Sequence, residues 1–207
     1  MLKRTKGRLL LTLLVITGLA GTLKDASLSH KERKSAMTLM KDTKAAALKS
    51  IKGLSEAQLN FKSATGHCSI KECMYQITVS EKYLWSLLEE KLKSHSDPEK
   101  RAAIKMTDEE LIKMVEDRNF KIKTIESFEA AKSPYKTLDQ AINLFKSKRL
   151  DHIKYIKTTT EDLRNHVIQL SFGWLDCYQL CLMIAAYSDR NTQQIEEIKT
   201  EPDFPKK

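Results

Sequence analysis

The chain is poor in the two residues that most often interrupt regular secondary structure. It contains six glycines and four prolines among 207 residues, and Pro98, Pro134, Pro202 and Pro205 lie outside the segments with periodic apolar residues. No stretch alternates apolar and polar residues as a half-buried strand does. We therefore expect no sheet, and predict an all-helical protein with one domain at this length.

Two further features are missing, and each argues against a class of protein. No basic run is interleaved with aromatic residues, so we expect no nucleic-acid partner. The apolar run LLLTLLVITGLA is about twelve residues long, whereas a membrane-spanning helix needs ~20. A stable transmembrane segment is therefore not expected.

Residues 1–20 have the pattern of a secretory signal peptide. The basic MLKRTKGR precedes the apolar run, and the small residues Gly18 and Ala20 stand where a signal peptidase cleaves. We expect an exported protein, periplasmic or extracellular, with an uncleaved N-terminal membrane anchor as the alternative. Cleavage would lower the formal net charge from +9 to +5, because this segment carries four positive charges and no negative ones.

Apolar residues recur at helical spacing over four long segments, at about 29–51, 69–93, 137–156 and 174–199. Gly53 follows the first of these, at a place where a left-handed residue commonly ends a helix. The capping-box pattern SEAQ at Ser55 to Gln58 predicts the start of a short turn, and TDEE predicts a short helix from Thr107 to about Asn119. Four such helices can bury their apolar stripes only against one another, which predicts a four-helix bundle with a crossover connection.

The bundle is expected over 29–200, after a short segment at 21–28 and before a tail at 201–207. SHSDPEKR should form a polar linker, and TTTEDLRNHVIQLSFG a long loop over one end. The carboxylates of Glu81, Glu89 and Glu90 are interpreted as a solvated helix face.

The four cysteines, Cys68, Cys73, Cys177 and Cys181, are interpreted as small apolar core residues. The last two are one helical turn apart, which is poor geometry for a disulfide. A bridge between the two clusters remains open.

A polar island interrupts the apolar stripe of the last helix. The stripe runs from Trp174 to Ile198, and its consecutive polar members are Ser188 and Asn191. Tyr187 and Asn191 are four residues apart and so lie on one face, as two metal ligands from one helix would. Their side chains are nevertheless poor ligands for zinc, nickel or iron.

Two motifs resemble the signatures of the DinB-like (DinB/YfiT) family of four-helix bundles. YSDRNTQQI resembles the C-terminal signature His-x-x-Arg-His-x-x-Gln-Ile, and CSIKECMYQI resembles the second-helix signature Trp-Ser-Ile-x-Glu-x-x-x-His-Ile. DRNFK, YIKTTTEDLRNH and IKTEPDFPKK also fit. The resemblance covers nearly all of the chain after residue 28, and Gln76, Tyr187 and Asn191 stand where the family has three histidines.

The resemblance implies a fold used by metal-dependent hydrolases and thiol transferases, in which three histidines hold a divalent metal. Because three neutral side chains replace them here, we expect no metal cofactor, with zinc or nickel as the alternative. Either Gln76, Tyr187, Asn191 and Ser188 form an internal polar network, or they line a cleft for a small molecule to which Arg190 offers its charge.

The prediction is therefore an exported, non-catalytic protein that binds a small ligand or a partner, with a homodimer possible. The alternative is a metal-dependent hydrolase or thiol transferase with an atypical site.

Overall fold

A computed structural model describes residues 27–62, 68–120 and 134–206. The predicted signal peptide at residues 1–20 lies outside the described residues. Within those ranges, no helix combines the length and the apolar character needed to cross a membrane.

Four long helices form a bundle, as predicted. They are α1 (His30–Ser50), α3 (Ile70–Leu92), α5 (Leu138–Thr158) and α6 (Cys177–Lys199). The shorter elements are α2 (Glu56–Asn60), a 3-10 helix (Pro98–Ala103), α4 (Asp108–Glu116), and the strands β1 (Val167–Leu170) and β2 (Gly173–Asp176).

Local sequence explains where these helices begin and where α1 ends. Five of the described helices start with a capping box, in which the cap side chain and the residue three positions later satisfy each other's backbone amide. The caps are Ser29, Ser55, Ser69, Thr107 and Asp176. Past the end of α1, Gly53 has a φ of 73°, so its predicted left-handed conformation is confirmed.

Helix α6 lies at the centre of the fold. It packs against α1, α3 and the extra helix α4, whereas α5 packs against α1 and α3. The consecutive long helices α1 and α3 therefore lie diagonally across the bundle, which confirms the crossover. From Cys177 to Ser188 every residue of α6 is buried, because neighbours cover all its sides.

The expectation of no strand was wrong. Part of the predicted long loop forms an antiparallel hairpin, in which Val167 pairs with Asp176 and Leu170 with Gly173. Gly173 has a φ of 145°, a conformation that suits glycine, directly after a two-residue turn. Trp174 therefore lies in β2, and the last helix begins at Cys177 rather than at Trp174.

Two connections also differ from their predictions. The SHSDPEKR segment is not wholly irregular, because Pro98 opens the 3-10 helix, where its missing N–H costs no hydrogen bond. The short helix ends at Glu116 rather than near Asn119, and Asp117 has an extended backbone.

The interior has two apolar clusters with a polar layer between them. One cluster includes Met40, Leu84 and Ile156, and the other includes Ile77 and Phe145. Polar side chains from all four long helices lie between the clusters, and they are Thr43, Glu81, Arg149, His152 and Ser188.

Candidate functional site

The predicted site residues lie where the first turns of α3 face the second half of α6. Gln76 is half-buried on α3, and its amide Nε2 donates a hydrogen bond to the Cys68 sulfur at 3.1 Å. Tyr187 on α6 is buried, with 6% of its surface exposed. It interacts electrostatically with Cys68 and Cys73, so α3 and α6 bring these groups into one neighbourhood.

The two α6 residues of the site are bonded to each other. The Asn191 amide Nδ2 donates to the Tyr187 carbonyl at 2.9 Å, and the Asn191 side chain is also hydrogen bonded to the phenol. Burial raises the pKa of Tyr187, against the opposing effects of Asn191 and Arg190. The phenol is therefore neutral at ordinary pH.

Ser188 does not belong to this group. Its hydroxyl accepts a hydrogen bond from Arg149 at 2.6 Å and donates to the Ile184 carbonyl at 3.1 Å. The predicted network of Gln76, Tyr187, Asn191 and Ser188 is therefore not continuous. Ser188 belongs to the polar layer.

Arg190 makes contacts at the end of α4. Its guanidinium donates to the backbone carbonyls of Val115 at 3.3 Å and Phe120 at 2.8 Å, and also to that of Asp117. A cation suits this place, because the last carbonyls of a helix carry partial negative charge. Anion binding by Arg190 stays a prediction, and the donors that it would use already have partners.

Two cysteines lie beside Gln76. Cys68 directly precedes the N-cap Ser69 and is half-buried, whereas Cys73 is fully buried on α3. The hydrogen bond from the Cys73 thiol is the main cause that lowers the pKa of Cys68 to about 7, and Gln76 contributes, while burial and the Glu72 carboxylate oppose it. The same hydrogen bond, with burial, raises the pKa of Cys73.

The donor set of Gln76, Tyr187 and Asn191 fits a catalytic dication poorly. The two amide nitrogens donate to Cys68 and to the Tyr187 carbonyl, and the phenol is neutral. Two neutral amide oxygens remain, which suit hard cations better than zinc or nickel. Among residues 27–62, 68–120 and 134–206, no three His, Cys, Asp or Glu side chains cluster as metal ligands would.

A buried ion cluster in the polar layer was missed in the sequence. Glu81, expected on a solvated face, has 1% of its surface exposed, so that expectation was wrong. The Arg149 Nε donates to Glu81 at 2.8 Å, and the His152 Nδ1 lies 2.7 Å from the same carboxylate. The His152 ring also stacks on Trp85 at 3.7 Å between centroids.

A second polar cluster lies where α1, α4 and α6 begin. Arg164 binds the carboxylates of Glu32, Asp108 and Asp176, one from the first turn or cap of each helix, at 2.6–2.9 Å. An open pocket of about 750 Å³ adjoins it. Acidic side chains suit helix N-termini, so the cluster joins three helix starts and is explained structurally.

Comparison with known proteins adds information on the fold. No protein-family model matches the chain, and no curated protein matches its sequence. The structure is similar to that of YfiT from Bacillus subtilis, described as a probable metal-dependent hydrolase with an unusual four-helix bundle topology. The TM-score is 0.57, with 11% sequence identity over 84% of this chain and 89% of YfiT.

The chain has the fold of a DinB-like four-helix bundle. The similarity extends over most of both chains, and the described helices include the four long ones and the extra helix α4. At 11% identity the comparison establishes the DinB-like fold. Any activity of this DinB-like bundle has to be inferred from its own side chains.

Sequence reasoning also missed Cys68 as a candidate site residue. The available signal was its spacing, because Cys68 precedes the capping box Ser69–Glu72, with Cys73 and Gln76 on the next turns. All four cysteines were interpreted as core residues, although Cys68 lies outside the helix and Cys73 lies within it.

Proposed function

We propose that the chain is a metal-independent DinB-like protein that binds a small, uncharged polar ligand at Gln76, Tyr187 and Asn191. The supporting observation is the chemistry of these three side chains. Two amides and a neutral phenol bring no negative charge to offset the desolvation of a dication. They offer hydrogen bonds to an uncharged molecule instead.

The contacts within the site indicate which groups such a ligand would present. Each amide nitrogen donates a hydrogen bond inside the protein, and each amide also carries an oxygen, which is an acceptor only. A ligand with hydroxyl or amide N–H donors complements them. Export of the protein is part of the same proposal, and its support is the signal-peptide pattern of residues 1–20.

The alternative is a metal-dependent hydrolase or thiol transferase with an atypical site. The description of YfiT as a probable metal-dependent hydrolase favours it. The two proposals differ in whether a dication binds at these residues, so metal content separates them.

The first experiment measures metal and ligand binding by the purified protein. We expect substoichiometric zinc and nickel, and a melting temperature unchanged when either metal is added. Small neutral alcohols and amides, screened by saturation-transfer NMR, should bind, and Asn191→Leu should weaken binding about tenfold, the effect of losing ~1.4 kcal/mol. Gln193→Leu, which removes another amide from α6, is the matched control.

A second variant tests the placement of the three side chains. The triple change Gln76→His, Tyr187→His and Asn191→His should create a zinc site and raise the melting temperature with zinc, because imidazoles are good ligands for this metal. Stoichiometric metal in the wild type, lost in Asn191→Leu, would overturn the proposal. A folded triple variant that takes up no zinc would contradict the convergence of these positions.

A further inference from the structure

Two cysteine side chains lie next to each other at the start of α3, because the capping box puts Cys68 directly before the N-cap Ser69 and Cys73 in the first turn, and side chains at these two positions commonly pack together. The buried Cys73 thiol hydrogen bonds to the sulfur of Cys68, and the Gln76 amide donates to the same sulfur at 3.1 Å. Cys68 thus receives two hydrogen bonds on its sulfur, which stabilise a thiolate. It is also half-buried rather than enclosed.

The second cysteine pair has the same residue types in a different setting. Cys177 and Cys181 are both inside α6 and are fully buried. Burial is the main cause that raises the pKa of Cys177 to about 12, and it also raises the pKa of Cys181. A buried thiol of this kind is inert, so this pair provides an internal control.

We propose that Cys68 and Cys73 form a thiol–disulfide exchange site that takes low-molecular-weight disulfides as its substrate. Cys68 is the attacking residue, and Cys73 is the resolving residue. The inference goes beyond small-ligand binding and does not depend on it, because the two cysteines are neighbours whatever occupies the adjacent site.

The reaction is a two-step exchange. The Cys68 thiolate attacks one sulfur of a disulfide RSSR, whose S–S bond breaks and releases one RS⁻, which takes a proton from water. Cys73 then loses its proton and attacks the Cys68 sulfur, releasing the second thiol. The protein loses two electrons and two protons to RSSR, giving two RSH and one Cys68–Cys73 disulfide.

The backbone around the pair suits this closure. A disulfide can close only between neighbouring side chains, and the positions before the N-cap and in the first turn are neighbours in a capping box. Cys68 precedes the N-cap Ser69, so it can move without breaking the hydrogen bonds of α3. Cys177 and Cys181 are instead held in α6, one turn apart, where closure would distort the helix.

Oxidation would also change the neighbouring site. The Cys68 sulfur accepts the Gln76 amide in the reduced protein, and a disulfide sulfur is neutral and a weaker acceptor. Closing the bond therefore frees the Gln76 amide for another acceptor. The exchange would alter which hydrogen bonds this end of the bundle offers.

The test exposes the full chain to a series of ratios of oxidised to reduced glutathione. After acid quenching and alkylation of the remaining thiols, peptide mass spectrometry locates every cysteine product. We expect a Cys68–Cys73 disulfide in the wild type. In Cys73→Ser, which lacks the resolving thiol, a glutathione mixed disulfide should accumulate on Cys68, at least tenfold more than on Cys177 or Cys181.

The matched control is Cys177→Ser, which should leave formation of the Cys68–Cys73 disulfide unchanged. The proposal would be overturned if Cys68 and Cys73 stayed reduced at ratios that oxidise glutathione-sensitive thiols. A disulfide from Cys68 to Cys177 or Cys181 would also overturn it. The wild-type products decide the question even if a variant fails to fold. Because the assay needs no metal or ligand, its failure leaves the proposed function to be tested separately.

Discussion

At the scale of the residue, Cys68 shows how neighbouring groups set the acidity of a thiol. Its main stabilising partner is the Cys73 thiol, which is itself held protonated by burial and by this hydrogen bond. Gln76 adds a second donor, and the Glu72 carboxylate opposes both. The balance lowers the pKa of Cys68 to about 7, compared with ~8.5 for an ordinary cysteine.

This balance predicts how fast Cys68 is alkylated as the pH changes. The rate with iodoacetamide should rise with a midpoint near pH 7, because only the thiolate reacts. Gln76→Leu should move the midpoint upward, and Cys73→Ala should move it further, since it removes the larger stabilising contact. Rates are followed by peptide mass spectrometry. Gln193→Leu should leave the midpoint in place, and a midpoint that moves in none of the variants would contradict the assignment.

At the scale of the element, two arginines attach α4 and the residues after it to α6, one through backbone carbonyls and the other through side-chain oxygens. Arg190 donates to carbonyls at and after the end of α4, and Arg118 binds Gln194 and Glu197 on α6 at 3.2–3.4 Å. These contacts follow the last turn of a helix of only nine residues. Such a short helix depends on tertiary contacts rather than on its own propensity.

Replacing Arg190 by methionine should therefore destabilise the docking of α4. We expect a loss of about 1.5–3 kcal/mol in the free energy of unfolding, the range for hydrogen bonds to a charged group. Urea denaturation measures it, and hydrogen exchange should show the loss of protection concentrated in α4. Arg101→Met, at an exposed position of the 3-10 helix, should change stability by less than about 0.5 kcal/mol. If Arg190→Met left the stability unchanged, the contacts of this guanidinium with α4 would contribute little. It would then be available for the anion that the sequence suggested.

Helix starts were predictable from the sequence because their signals are local. Ser55 and Thr107 cap helices as their patterns indicate. The same capping rule fits Asp176 and Gln179, but the apolar periodicity continues back to Trp174, and the helix was therefore predicted to begin there. The hairpin gave no signal, because four-residue strands are too short to show alternation, and β2 is held by pairing with β1.

At the scale of the whole molecule, the bundle is divided by the polar layer into two apolar clusters. Arg149 is its centre, donating to Glu81 on α3, to Thr43 on α1 at 2.8 Å and to Ser188 on α6 at 2.6 Å. One side chain therefore connects all four long helices. The sequence could not reveal this connection. Glu81 can be buried only with the charge partner that Arg149 on α5 supplies, and the packing of α3 against α5 is not visible in the sequence.

Replacing Arg149 by methionine should cost about 3–5 kcal/mol in the free energy of unfolding at neutral pH, because it leaves the Glu81 charge buried and without its partner. Burial raises the pKa of Glu81, but Arg149 and His152 outweigh it, so the folded pKa lies below 4.5. The stability that Glu81 contributes is therefore present above that value and is lost as the pH falls through its folded pKa.

In Arg149→Met the pH dependence of the Glu81 contribution to stability has the opposite sign. Burial is no longer opposed by Arg149, the pKa of Glu81 rises, and the folded variant binds a proton that the unfolded chain does not. The stability gap between wild type and variant should therefore shrink from about pH 7 to about pH 4 in urea denaturation. The free energy of unfolding of Arg101→Met should change with pH as that of the wild type does. A gap of the same size at both pH values would show that the loss comes from packing around Arg149 and not from the charge of Glu81.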